Sequence, residues 1–302
     1  MRGKIIDALF ERMARDERVF FLTADMGINL VERFGEAYPD RFLNVGIAEQ
    51  NLIGVSAGLC NAGFTPVVYT ISNFLTHRCF EQIRNDVALH EYPVILLGTS
   101  TGYDNAPLGP THHVIDDWGA IAGIPGIDIY CPSSVAFAAP LIDRLLDGGR
   151  PAYVRVPKGQ PAEPASAADV VYLPGKRART LIATYGSPAQ NVLRVAASRD
   201  DVSVLVFNRL KPIDWAQIAG PLSDHETVIV VEDHFPEQGL FGTLCCLCME
   251  AGVHPRVLSL APQTYNLTVG TSGSYYEAAY GIDVSGINAM LDGLPAPLLL
   301  RT

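Results

Sequence analysis

Residues 41–70 read RFLNVGIAEQNLIGVSAGLCNAGFTPVVYT. The centre of this stretch, LIGVSAGLC from Leu52 to Cys60, is apolar and built of small residues, and it reads as a helix that tolerates little water on most of its faces. A β-rich run, TPVVYTI from Thr65 to Ile71, follows it. One carboxylate, Glu49, stands where that helix begins, and burial penalises its charge unless a partner meets it. The plain alternative is a first-turn carboxylate stabilised by the positive end of the helix dipole.

Outward from this unit, β-rich runs alternate with helical patterns. RVFFLTAD (18–25), YPVILLGTS (92–100), IDIYCPS (127–133) and PAYVRVP (151–157) are expected strands, as in a parallel sheet covered by helices. The N-terminal segment reads as an amphipathic helix with Ile5, Ile6, Leu9, Phe10 and Met13 on one face, and it has neither the form of a signal peptide nor that of a transit peptide. Between Lys158 and Lys176 the pattern dissolves into Pro, Ala and Gly. A second series follows, with strands TLIATYG (180–186), VSVLVFN (202–208), TVIVVED (227–233) and PRVLSL (255–260), and helices SPAQNVLRVAAS (187–198) and LFGTLCCLCMEAG (240–252). The expected architecture is α/β in two domains, 1–160 and 178–302, joined by a linker at 161–177.

The 302 residues are 48% hydrophobic and 18% charged, enough for ordinary globular cores. No apolar run reaches the roughly 18 residues of a membrane span. A formal charge of −10 without a basic block argues against a nucleic-acid partner. Six cysteines without metal-type pairing, three of them Cys245, Cys246 and Cys248, read as buried thiols of a cytoplasmic protein, and no metal ligands are expected in this chain. No GxGxxG follows a strand, which weakens a nucleotide-binding reading.

Ligands of open α/β sheets gather at the carboxyl ends of strands. Asp25, Asn73, the loop GTSTGYDNAPLGPTHH (98–113) and Arg155 all follow or end expected strands, and one shared rim is expected. Together with residues 41–70, the segments FLTHRCFEQIRNDVAL (74–89), GPTHH (109–113) and YGIDVSGI (280–287) resemble the pyrimidine-binding and C-terminal domains of the transketolase-like thiamine diphosphate enzymes. The resemblance runs over nearly the whole chain, with separate motifs in the family's order.

That resemblance implies roles. Glu49 matches the glutamate that hydrogen-bonds the aminopyrimidine ring and drives the tautomer shift that activates the cofactor. Asp25 and Met26 match a pair beside the cofactor, the bland alternative for Asp25 being a helix cap. Phe74 and Phe80 match the aromatic walls around the ring, with FLTHRC one residue longer than the usual pattern. His112 matches the histidine that approaches the substrate near the reactive carbon, whereas His113 has no fixed counterpart. Leu108 stands where sugar transketolases carry an acid that bonds a sugar hydroxyl, so that hydroxyl goes unrewarded here. Arg155 or Lys158 falls near the family's phosphate-binding arginine, and the match does not choose between them.

The GDG motif and distal asparagine that hold the diphosphate and Mg2+ in this family have no counterpart in the sequence. The resemblance therefore implies a split enzyme: a separate diphosphate-binding subunit anchors thiamine diphosphate and Mg2+, in a heterotetramer. The expected activity is transfer of a two-carbon ketol or acyl unit. The alternatives are the β-subunit of a 2-oxoacid dehydrogenase E1 component, against which GPTHH speaks, and a non-catalytic scaffold, which has no need of a buried carboxylate.

Overall fold

The computed structural model describes residues 1–27, 29–159 and 166–294. The first half runs α1 (Arg2–Arg15), β1 (Val19–Thr23), α2 (Glu32–Ala37), β2 (Phe42–Asn44), α3 (Glu49–Asn61), β3 (Thr65–Ile71), α4 (Ser72–Thr76) and α5 (Phe80–Gln82). It continues through β4 (Ile95–Thr99), α6 (Asp117–Ala122), β5 (Asp128–Tyr130), α7 (Val135–Gly148) and β6 (Ala152–Val156). The second half holds β7 (Val170–Leu173), β8 (Thr180–Tyr185), α8 (Pro188–Ala197), β9 (Val202–Phe207), β10 (Arg209–Lys211), α9 (Trp215–Ser223) and β11 (Thr227–Val231). It ends with α10 (Leu240–Ala251), β12 (Arg256–Leu260), α11 (Gly273–Tyr280) and α12 (Val284–Asp292).

The first sheet has the order β10-β5-β6-β4-β3-β1-β2, parallel except for β10. Its strands are near-continuous apolar runs because helices cover both faces. Helix α1 buries Ile5, Ile6, Leu9 and Met13 against it, while Phe10 is half-buried. Each such aliphatic side chain contributes about 1.5–3 kcal/mol on burial. The second sheet has the order β12-β11-β8-β9-β7 and is parallel except for β7.

Each sheet has a switch point, where successive crossovers leave a strand on opposite sides. In the first sheet it falls between β1 and β3, because β2 lies on one flank of β1 and β3 on the other. In the second it falls between β8 and β11, because β9 and β11 flank β8. Crevices for ligands open at such places, at the carboxyl ends of the strands.

Three expectations need adjustment. Residues 161–165 of the expected linker, like 295–302 of the second domain, lie outside the described residues, and Val170–Leu173 of that linker form β7, antiparallel to β9. Strand β10 comes from the second half yet pairs with β5 of the first sheet. The cores are likewise shared: Trp118 of α6 packs edge-on to Tyr185 of β8 at 5.3 Å, in one apolar cluster with Tyr153, Phe207 and Leu240. Among the thiols, Cys246 is exposed, while Cys79, Cys131 and Cys248 are buried.

Helix α3 is less buried than its composition suggests. Leu52, Ile53 and Ser56 face inward, but Gly54 and Gly58 are exposed, and a Cβ at either would meet nothing within 4 Å. Ile47, in the preceding loop, is 78% exposed. No helix among the described residues is long and apolar enough to cross a membrane.

Candidate active site

The carboxyl ends of β1, β2 and β3 meet at the first switch point. The Asn44 side chain fastens two of them: its Oδ1 accepts from the Asp25 amide at 3.0 Å and from the Gly46 amide at 3.0 Å. Asp25 has a φ of 47° in this turn and is exposed, so it is not the helix cap that the sequence left open. Met26 is half-buried, and its carbonyl accepts from the Thr23 hydroxyl at 2.9 Å.

Glu49 is the first residue of α3 and is 2% exposed. Ala48 before it offers no side-chain cap, so the carboxylate lies at the uncompensated positive end of the helix. Its Oε2 accepts from Nη1 of Arg78 at 2.5 Å. Gln50 adds a second tie to the same turn by donating to the Arg78 carbonyl at 3.1 Å. The Arg78 guanidinium lies over the Phe74 ring, 4.4 Å from its centre, and Phe74 meets His112 edge-on at 5.3 Å. Glu49, Arg78, Phe74 and His112 thus form a continuous chain of contacts.

The loop carrying His112 is held in place by Asn73, whose Nδ2 donates to the carbonyls of His113 and Thr111. Thr111 Oγ1 lies 3.0 Å from His112 Nδ1 and restrains the ring. His113 points the other way, buried against Tyr103 and Tyr276 at 5.1 and 4.5 Å. Phe80 opens α5 and is 38% exposed. A break at residues 77–79 separates α4 from α5, and a π-helical run, Ile83–Ala88, follows α5.

Leu108 ends a short turn, Ala106–Leu108, and is 58% exposed. Lys158 donates from Nζ to Asn105 Oδ1 at 2.6 Å and from its amide to Asp104 at 2.7 Å. Burial lowers the Lys158 amine below its ordinary range, against the pull of Asp104. Arg155 does not share the rim. It is 0% exposed, with Nε bonded to Asp117 Oδ2 at 2.7 Å and Nη2 to the Val114 carbonyl at 3.1 Å. Tyr153 Oη donates to the same Asp117 oxygen at 2.5 Å.

Arg78 is positioned at the site without having been singled out in the sequence. So is a group on the second half: Tyr265 Oη donates to Asp116 Oδ2 at 2.5 Å, and His77 Nε2 lies 3.4 Å from Asp116 Oδ1. A cleft of about 640 Å³ opens there between the halves, lined by His77, Asp116, Phe235, Glu237, Gln263 and Tyr265 among others.

Residues 1–162 match the family model for the transketolase pyrimidine-binding domain. The chain belongs to this family. Transketolase pyrimidine domains are part of thiamine diphosphate-dependent enzymes of the transferase type, and two relatives, each named as the B-subunit of an apulose-4-phosphate transketolase, resemble the chain. That of Phocaeicola vulgatus is 28% identical over 298 residues, 95% of this chain and 94% of its own length. That of Actinobacillus succinogenes is 32% identical over 211 residues, 67% of this chain and 68% of its own. The 1-deoxy-D-xylulose-5-phosphate synthase of Rhodopirellula baltica is 31% identical over 237 residues, and the match spans only 37% of that protein's length. Among solved structures, a split-gene transketolase described as an inactive β4 tetramer superimposes with a TM-score of 0.84 over 96% of both chains. At 23% identity that likeness speaks for the transketolase fold alone.

Proposed function

We propose that this chain is the aminopyrimidine-side subunit of a two-component, thiamine diphosphate- and Mg2+-dependent transketolase-like enzyme that transfers a two-carbon ketol or acyl unit. The observation that carries this reading is the buried Glu49 carboxylate at the first switch point, gathered with Phe74 and His112. These residues fit the aminopyrimidine half of the cofactor: the carboxylate's hydrogen-bonded partner, Arg78, is a side chain 42% exposed and free to yield. When bound, thiamine diphosphate supplies a nucleophilic carbon that takes up and passes on the transferred unit. Glu49 exchanges a proton with a ring nitrogen, and Arg78 orients the carboxylate until it does. Phe74 and Phe80 pack apolar surface beside the ring, Asp25 and Met26 border it, and His112 holds or delivers a proton at the substrate oxygen. Lys158 rather than Arg155 meets an anionic substrate group, because Arg155 has no exposed surface and is committed to Asp117.

The diphosphate and Mg2+ are assigned to a cytoplasmic partner, since no GDG motif occurs in this sequence. The open face of α3 supports such a partner. Glycines at 54 and 58 with empty space beyond them let another backbone come close, and exposed Ile47 supplies apolar area. Relatives whose names mark them as one subunit of a transketolase support a chain that needs a second component, and we take the assembly to be a heterotetramer. The test is to assay the purified chain with thiamine diphosphate, Mg2+ and a ketose phosphate, alone and after co-purification with a neighbouring gene product bearing the GDG motif. Turnover and stoichiometric cofactor binding are expected only in the mixture. Turnover by the single chain would overturn the split site.

A further inference from the structure

Arg78 stands in the turn 77–79 between α4 and α5, so side-chain contacts rather than a helical ladder set its direction. The Gln50 side chain holds its carbonyl, and the Phe74 ring lies under its guanidinium. A third contact comes through the residue before it. His77 Nε2 faces Asp116 Oδ1 at 3.4 Å, and His77 Nδ1 lies 3.1 Å from Thr76 Oγ1.

Asp116 is in turn held from the second half. Tyr265, between β12 and α11, donates its hydroxyl to Asp116 Oδ2 at 2.5 Å. Both ends of that bond are fixed. The Tyr265 ring meets Phe235 edge-on at 5.0 Å, and the Phe235 amide donates at 2.9 Å to the carbonyl of Ile115, next to Asp116. Tyr280 Oη donates at 2.7 Å to the carbonyl of Thr264, next to Tyr265. The bond to Asp116, ahead of burial, pushes the Tyr265 phenol up to about 12, so the hydroxyl remains a donor at neutral pH. Tyr265, Asp116 and His77 thus form a strap in the cleft between the halves, ending one residue before Arg78.

We propose that Tyr265 is a positioning residue, which acts through Asp116 and His77 to hold Arg78 on the Glu49 carboxylate before the cofactor arrives. The proposal rests on the reading of Glu49 as the group that exchanges a proton with the aminopyrimidine. A buried carboxylate keeps its direction only while a donor faces it. The Arg78 side chain is 42% exposed, and water competes for it. The strap removes one of the freedoms by which it would turn away, and so presents Glu49 already aimed. Once the cofactor ring has taken the place of Arg78, the strap has no further effect. Its loss should therefore show in capture of the cofactor and not in the chemical step.

Two measurements on the full chain test this. In the 15N spectrum of the arginine side chains, without cofactor, Tyr265→Phe should speed solvent exchange of the Arg78 guanidinium protons about threefold or more, as should Asp116→Asn. Arg78→Lys assigns the resonance, and urea midpoints show that each variant is folded. Unchanged exchange in the folded variants would overturn the proposal, whatever the chain catalyses. In the two-component enzyme, Tyr265→Phe should raise the thiamine diphosphate concentration for half-maximal turnover about tenfold and leave kcat within about twofold. In the Glu49→Gln background the same change should shift that concentration less than about twofold, because no carboxylate is left to aim. Equal shifts in both backgrounds, or a loss confined to kcat, would overturn the proposal and leave Tyr265 a part of the fold alone. Should no partner restore turnover, the proposed enzyme falls, and the Arg78 exchange still decides the strap.

Discussion

Glu49 and Arg78 are joined at 2.5 Å across 29 residues of chain, a buried carboxylate closed by a half-exposed guanidinium. The asymmetry matters because the two partners respond differently to loss of the other. Removing the carboxylate leaves an arginine that water can reach, whereas removing the arginine leaves a charge that water cannot.

Glu49→Gln should therefore leave stability within about 1 kcal/mol of wild type, since the orphaned guanidinium is rehydrated. Turnover of the two-component enzyme should fall by about 10²–10⁴, the usual range for loss of a general acid–base group. The check is cofactor proton exchange by NMR beside urea unfolding. A variant that exchanges the thiazolium proton at the wild-type rate returns Glu49 to a purely helix-terminal role.

Arg155→Met should behave in the opposite way. It strands Asp117, which is fully buried and otherwise bonded to Tyr153, so a loss of about 3–5 kcal/mol is expected. Tyr153→Phe, which removes one neutral donor from a charged acceptor, should cost less, about 1.5–3 kcal/mol. Equilibrium urea denaturation separates the two, and equal small losses would contradict the buried-pair account.

Leu108→Asp should shift substrate choice. The exposed leucine offers a donor hydroxyl no acceptor, and a carboxylate in its place should raise activity on hydroxylated donors relative to the native substrate. A competition between xylulose 5-phosphate and pyruvate, in the presence of the partner, reads the ratio. If wild type already favours xylulose 5-phosphate widely and the variant leaves the ratio unchanged, Leu108 is not the selector.

Asp104 and Asp233 should draw stability down as pH rises from 3.8 toward about 6, against His113 and His234, which burial lowers and which act in the opposite direction. Asp104 and Asp233, ordinarily at 3.8, are pushed by burial up to about 6, so between those values the folded chain holds protons that the unfolded chain has released. Glu232, raised by burial to about 8, acts in the same direction over a longer window. The groups facing the two aspartates are Arg155, Lys158, Asp117, Glu277 and Tyr103. Relative to Asp104→Asn, wild-type urea midpoints should decline across this range. A wild-type rise relative to that variant would mean that the carboxylate is better paired than its surroundings indicate.

The long apolar runs made the α/β class and nine of the twelve strands among the described residues legible, because a buried parallel strand has little choice of composition. Strands β2, β7 and β10, of three to four residues, carry too few side chains to show a period. The need for a partner at Glu49 was readable, but not its identity, since Arg78 reaches it through a break between two short helices. Arg155 shares a strand face with Tyr153 by simple alternation. That this face is covered by the second half depends on a packing that separate domains would not have. Composition likewise marked α3 as apolar without telling which face the chain itself covers.

The pairing of β10 on β5 also sets a schedule for synthesis. Until Arg209–Lys211 leave the ribosome, the finished first-half strands present the open edge of β5, a bare row of amides and carbonyls of the kind that recruits stray chains. A nascent chain stalled shortly after β6 has every element of its first parallel sheet except the one that closes it. The first sheet thus gains its last strand only when a three-residue segment of the C-terminal half has been made.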